Sequence, residues 1–302
     1  MGVTVLRMGA RRLREVLGPP QQLPDFAGSL AVACGIGCLS LAILEGRHWG
    51  FASARTLAAL IAVPIFLGAA TTRSTAHPAP ALDLPLLRER RAGIANLGTL
   101  LFGMAVFGGI LTNILFLSDG WRYSALQTAL AVTPPPLTAA IAARAAGRAI
   151  TRYGPRPVGA LGLALFAAGM AFILAHATTS PNYLGTWLPG TLLFGAGIGV
   201  ASPAFASTAI RAAPMHAFAL ASSVNTAARQ VGAVLGVAVL LAVIGSPSRH
   251  NPVTPFRHAW IAEIVLTGLA GLCAVALKTT AGPSQPWPSH SPYPPNEEIP
   301  GT

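Results

Sequence analysis

Acidic side chains are scarce in this sequence: Asp and Glu number 9 in 302 residues, and all charged residues together make up 10% of the chain. A domain that faces water on every side carries about 25% charged residues. The chain therefore lacks the polar surface of a soluble globular protein. Cysteine is equally sparse. Cys34 and Cys38 lie one turn apart in an apolar run and Cys273 lies in another. Three thiols are too few for a disulfide framework, and they lack the histidine or carboxylate company of a metal centre. No metal and no cofactor is expected. The sequence also holds no nucleotide-binding loop, no HExxH pair and no Ser/His/Asp constellation, so it does not read as an enzyme. Gly195, Gly197 and Gly199 sit in an apolar run with no strand before them, which points to helix packing rather than to a dinucleotide loop.

What is present is apolar residue, 53% of the chain, in runs long enough to cross a bilayer. The mean hydropathy is +0.59, and a spanning helix needs about 17–25 residues. Eight spans are predicted, at 26–44, 56–72, 94–117, 124–143, 157–175, 184–206, 217–245 and 258–277. The runs are continuous rather than alternating, so the fold class is an all-α membrane protein. Pro134 to Pro136 fall inside the fourth span, where their missing N–H groups call for a kink or a break. The longest gap follows the second span, which suggests two helices joined to a six-helix unit. The organisation is then a cytoplasmic segment at 1–25, two helices within 26–72, a linker at 73–93, the six-helix unit at 94–278 and a Pro/Ser-rich disordered tail at 279–302.

The net charge of +11 invites a nucleic-acid reading, but the basic residues cluster in the short gaps between spans. With both termini cytoplasmic, Arg7, Arg11, Arg12, Arg14, Arg73, Arg88, Arg90, Arg91, Arg144, Arg148, Arg152, Arg156, Arg211 and Lys278 fall on one side. Arg47, Arg55, Arg122, Arg249 and Arg257 fall on the other. That asymmetry is a positive-inside signal and places a multi-pass protein in the plasma membrane. The bilayer is the partner it implies, and nucleic acid is not.

One basic residue remains. Arg229 stands in the seventh span, in "ALASSVNTAARQVGAVLGVAV". Ser222, Asn225, Thr226, Gly232 and Gly236 share its helical face. A charge at mid-bilayer costs about 2.5–3.5 kcal/mol on insertion scales, so this face should turn to protein or to a water-filled cavity. Gly232 and Gly236 have the spacing that lets a second helix approach closely. Two roles stay open for Arg229: capping carbonyls to fix helix packing, or lining a path through the membrane. The only acid inside a span, Glu263, lies about one turn into the last one and is expected to snorkel to the outer interface; no proton carrier is assigned.

The stretch around Arg229 resembles the "GlaSgxxntxRQlGgalGvAv" pattern of the fourteen-helix drug:proton antiporters of the major facilitator superfamily. Ser222, Asn225, Arg229, Gln230, Gly232 and Gly236 fall in register. "FLSDGWRYSALQTALAVTPPP" resembles the "YLQxxxGyspLqaGlxxlP" of the same antiporters through Tyr123, Ser124, Leu126, Gln127 and Pro134, with Arg122 where they have glycine. "LPGTLLFGAGIGVASP", "LEGRHWGFAS" and "RRLRE" are similar to three further stretches. Gly147, Arg152, Gly154 and Arg156 follow the "GxLaDRxGRR" loop signature of the superfamily, with Thr151 in place of the acid and Pro155 in place of a base. That loop, in which Arg144, Arg148, Arg152 and Arg156 recur every four residues, is either a gate or an anchor to anionic lipid.

The resemblance runs from about Arg11 to Lys278 and corresponds to the last eight of fourteen helices, with no counterpart of the first six. It implies proton-coupled efflux of drugs or other amphipathic, often cationic, small molecules, by rocking two six-helix halves about a midplane site. By the same resemblance Arg229, Gln230, Asn225, Asn113 and Trp187 lie on the substrate path or at the interface of halves. A partner is expected, either a second copy or a separately encoded N-terminal half. The alternatives are a remnant that transports nothing, or a membrane interaction protein that modulates a full-length transporter.

Overall fold

In the computed structural model, residues 25–50, 52–77, 89–211, 218–245 and 253–276 are described. The expectations for the cytoplasmic segment before Asp25 and for the tail from 279 lie outside these residues. The described residues hold helix and turn and no strand. Seven helices are long and apolar enough to cross a membrane. This is an all-α, multi-pass arrangement, in which each backbone satisfies its own polar groups within the span.

Helix α1 (Phe26–Trp49) and α2 (Ala54–Ala76) form a hairpin. Asp25 caps α1, accepting from the Gly28 N–H at 2.8 Å, and Ser53 caps α2. Asp25 also takes the Arg73 Nε at 2.5 Å, tying the start of α1 to the end of α2. The Arg73 guanidinium beside it holds the Asp25 carboxyl below the usual carboxylate range. The link is therefore kept above that range and lost only as pH falls through the lowered value.

The six-helix unit starts with α3 (Arg90–Leu115), which widens into a π-helical turn at Phe116–Gly120. The fourth predicted span is not one helix. It is α4 (Ala125–Ala131), opened by a Ser124–Gln127 capping box, and α5 (Pro134–Tyr153). Three consecutive prolines supply no N–H to continue the ladder, so the helix ends at Ala131 and restarts at Pro134. Helix α5 then runs on through Arg144, Arg148 and Arg152, residues read from sequence as a loop; the run is alanine-rich, and nothing stops the helix before Gly154. Beyond it come α6 (Pro155–His176), a second π-helical turn at Tyr183–Trp187, α7 (Leu188–Arg211), α8 (Phe218–Ile244) and α9 (Thr254–Ala276).

Glycine sets the closest approaches. A methyl group on Gly232 would lie 2.2 Å from the Leu100 carbonyl oxygen, and one on Gly236 would lie 2.3 Å from that of Met104. The backbones of α8 and α3 thus touch along this seam. Gly195 and Gly199 do the same for α7 against α5, and Gly197 for α7 against α6. Helix α9 packs on α3 and α6, and α1 leans on α8. Aromatic rings fill what remains. Phe102 stacks on Phe205 and meets Phe166 edge-on, and Phe116 is ringed by Trp121, Trp187, Phe256 and Trp260 at 4.9–5.8 Å.

Two backbone positions carry strain that a side chain decides. Gly154 joins α5 to α6 alone, at φ 86° and ψ 164°, a region open to glycine and almost nothing else. Gly154→Ala is expected to cost about 1–3 kcal/mol in stability, read as a lower melting temperature of the purified protein. Arg122 is the reverse case: exposed, with φ 58°, where the antiporters it resembles carry glycine. Arg122→Gly is expected to stabilise the chain by about 1 kcal/mol in the same measurement, by relieving left-handed strain.

Candidate functional site

The break between α4 and α5, the middle of α8 and the facing sides of α3 and α7 enclose a cavity of about 460 Å³. That volume lies within the range of about 300–1,000 Å³ typical of small-molecule sites. Its walls are mostly apolar, with Phe102, Phe107, Trp187 and Phe194 giving flat aromatic surface. Val132, Pro135 and Pro136 bring the broken helix to one wall. Arg229, near the middle of α8, is also among the lining residues. Its guanidinium makes no hydrogen bond or ion pair with the described residues, so it caps no carbonyl there. A midspan cation without a partner costs least where water can reach it, and this cavity provides that place.

Of the residues expected on the path, Arg229, Asn113 and Trp187 meet at this cavity. Each of the last two is held from behind. The Trp260 indole donates to Asn113 Oδ1 at 3.2 Å, and the Trp187 indole donates to the Ala131 carbonyl at 3.3 Å. The latter carbonyl is one that the interrupted helix leaves unpaired, so Trp187 both lines the site and closes the break. Asn225 is elsewhere. It is buried between α8 and α3, donating to Asn96 Oδ1 at 3.2 Å and to Thr99 Oγ1 at 2.7 Å. Its polar group is spent on the helix seam rather than on the cavity. Gln230 is exposed and outside the lining. Gly232 and Gly236, which share the helical face of Arg229, meet α3 of this chain.

The basic stripe is divided. Arg148 and Arg152 lie exposed on α5, with Arg152 over the Tyr153 ring at 5.3 Å, and Gly147 faces open space. Past Gly154 the chain turns, and Arg156 leaves the stripe to donate to the Val275 carbonyl at the end of α9, 3.1 Å away. That contact ties the end of α9 to the start of α6.

Glu263 does not snorkel. It is buried between α9 and α3 at 2% exposure, beside Gly108 and Gly109, with Thr112 Oγ1 on its Oε1 and no partner on Oε2. Phe194 stands beside Gly109 as well and lines the cavity. The sequence signal for this position was the two glycines of "FGGILT" on α3, spaced to admit a large group from a facing helix.

Comparison with known proteins supplies the family. Residues 95–297 match the family described as Major Facilitator Superfamily. The chain is 26% identical over 276 residues to the multidrug resistance protein Stp of Mycobacterium tuberculosis, covering 88% of this chain and 50% of that protein. It is 31% identical over 220 residues to the puromycin resistance protein pur8 of Streptomyces alboniger, covering 72% of this chain and 43% of that one. A third relative, at 23% over 236 residues, is the tetracenomycin C resistance and export protein of Streptomyces glaucescens, covered over 43% of its length. The chain spans about half the length of these relatives.

Proposed function

This chain belongs to the Major Facilitator Superfamily, and from that premise we propose that it takes part in proton-coupled efflux of drugs or other amphipathic small molecules across the plasma membrane. The observation that carries the reading is the cavity at the broken fourth span. It joins a midspan arginine with no partner among the described residues, an amide and an indole to an apolar wall, in the middle of a helical unit. Transporter sites sit where helices are interrupted at bilayer depth. The names of Stp and pur8 describe drug resistance, and that of the tetracenomycin C protein describes resistance and export, for those proteins.

The cavity has one open side. Arg229 and Gln230 are exposed on α8, and an arginine in that position would otherwise meet lipid. The working assembly therefore pairs this unit with a second six-helix half, either another copy or a separately encoded chain. The same open face also suits a different role, docking on a full-length relative to modulate it. Both termini lie in the cytoplasm under this reading, with the basic face of α5 against anionic lipid.

The test is efflux of a lipophilic dye from pump-deficient cells that express this chain, with and without a protonophore. Efflux that the protonophore stops and that Arg229→Ala abolishes, at equal membrane expression, is the expected result. Correctly inserted protein that exports nothing, alone or with a co-expressed half, would sink the transport reading. A change only in the efflux by a full-length relative would point to modulation.

A further inference from the structure

The cavity is one-sided in its chemistry as well as in its shape. Among the described residues no carboxylate lines it, and Arg229 is the one charged residue in the lining. A guanidinium has five donors and accepts nothing. Asn113 Oδ1 already accepts from the Trp260 indole, and the amide N–H groups are the side chain's donors. The Thr191 hydroxyl donates back to the Trp187 carbonyl at 2.8 Å, and the Trp187 indole N–H is spent on Ala131. What remains for a ligand is one cation, the Asn113 amide, and the Ser202 and Thr191 hydroxyls, which can also accept. The start of α5 also reaches the cavity, but Pro134, Pro135 and Pro136 have no N–H to add. Charge recognition therefore rests on Arg229, with Asn113 and Ser202 adding neutral polar groups to the lining.

A ligand cation placed here would lose its hydration, find no counter-charge and sit near a like charge. An anion would gain charge-assisted hydrogen bonds in an apolar surround, where such bonds are strong. The rest of the wall asks for flat apolar surface, because Phe102, Phe107, Trp187 and Phe194 present rings to it. We propose that this cavity takes amphipathic organic anions: an aromatic body among the four rings, and a carboxylate or sulfonate on the Arg229 guanidinium. This departs from the cationic class suggested by resemblance, and it rests on the transport reading for its role in the cell.

Two dyes with one aromatic body test it: pyrenebutyrate, the anion, and pyrenebutyltrimethylammonium, the cation. Binding of each to the purified chain in nanodiscs of neutral lipid is followed by fluorescence anisotropy. The anion is expected to bind at least about tenfold more tightly than the cation, the loss of one charge-assisted contact being worth that much. Arg229→Gln should remove the difference and Arg229→Lys should keep most of it, with unchanged melting temperatures showing that both variants fold. Equal binding of the two dyes, tighter binding of the cation, no binding of either, or an anion preference that survives Arg229→Gln would each overturn the proposal. The transport reading fails separately. Efflux of the cationic dye alone would leave transport standing and refute the anion site, whereas anion binding without efflux would do the reverse.

Discussion

Gly232→Leu is expected to leave little folded protein in the membrane. The obstacle at this position is the Leu100 carbonyl oxygen, part of the backbone of α3, and not a side chain that can turn away. Overpacking a core whose side chains can adjust costs about 1–3 kcal/mol; with backbone in the way, at least about 3 kcal/mol is expected. Pushing α8 from α3 would also open the Asn225 contacts to Asn96 and Thr99 and move Arg229 relative to the cavity. The measurement is the monodisperse fraction and melting temperature after extraction, beside Gly268→Leu as control. Gly268 is exposed on α9, with open space where its side chain would stand, and its substitution should change stability by less than about 0.5 kcal/mol. A Gly232→Leu protein that melts with the parent would show that the seam is looser than described.

The second large effect concerns Glu263. The Thr112 hydroxyl has a single proton, and it lies 3.0 Å from the Gly108 carbonyl as well as against Glu263 Oε1. The hydroxyl donates to the carboxylate oxygen and shares its proton with the Gly108 carbonyl, so Thr112 ties Glu263 to the backbone of α3. Oε2 has no hydrogen-bond partner, so the side chain is held at this depth by Thr112 alone. Glu263→Gln, which keeps the shape and has N–H groups to offer Thr112, should stay within about 1 kcal/mol of the parent. Glu263→Lys puts an unpaired cation between α3 and α9 and should cost about 3–5 kcal/mol. Thermal unfolding of the two purified variants separates the cases. If the glutamine protein falls as far as the lysine protein, shape and the Thr112 contact are not what this position needs.

Both residues illustrate what the sequence could and could not convey. Seven described helices stand where apolar runs placed them, because run length against bilayer thickness is a one-dimensional signal. The interruption at Pro134 was equally legible, since proline removes a donor wherever it stands. Periodicity also put Arg229, Asn225 and Gly232 on one face of α8. It could not say that α3 would take Asn225 and Gly232 while the cavity took Arg229, for a face wide enough to hold all three borders on more than one neighbour. Glu263 was misjudged for a related reason. Its place one turn into a span is compatible with snorkelling, and only Thr112, 151 residues away, shows that the side chain turns inward. The arginine-spaced stretch in the second half of α5 looked like a loop because charge ends apolar runs, but charge does not end helices; Gly154 does.

The ring cluster around Phe116 has a practical consequence for spectroscopy. Three of the five tryptophans, Trp121, Trp187 and Trp260, belong to it, and Trp121 and Trp187 have ring centroids 5.6 Å apart. Chromophores so close exchange excitation, so emission from any of the three reports on a shared environment. Trp187 forms part of the cavity wall. The chain thus carries a native optical sensor at its candidate site, and a ligand that enters should quench or shift tryptophan emission without a label being attached.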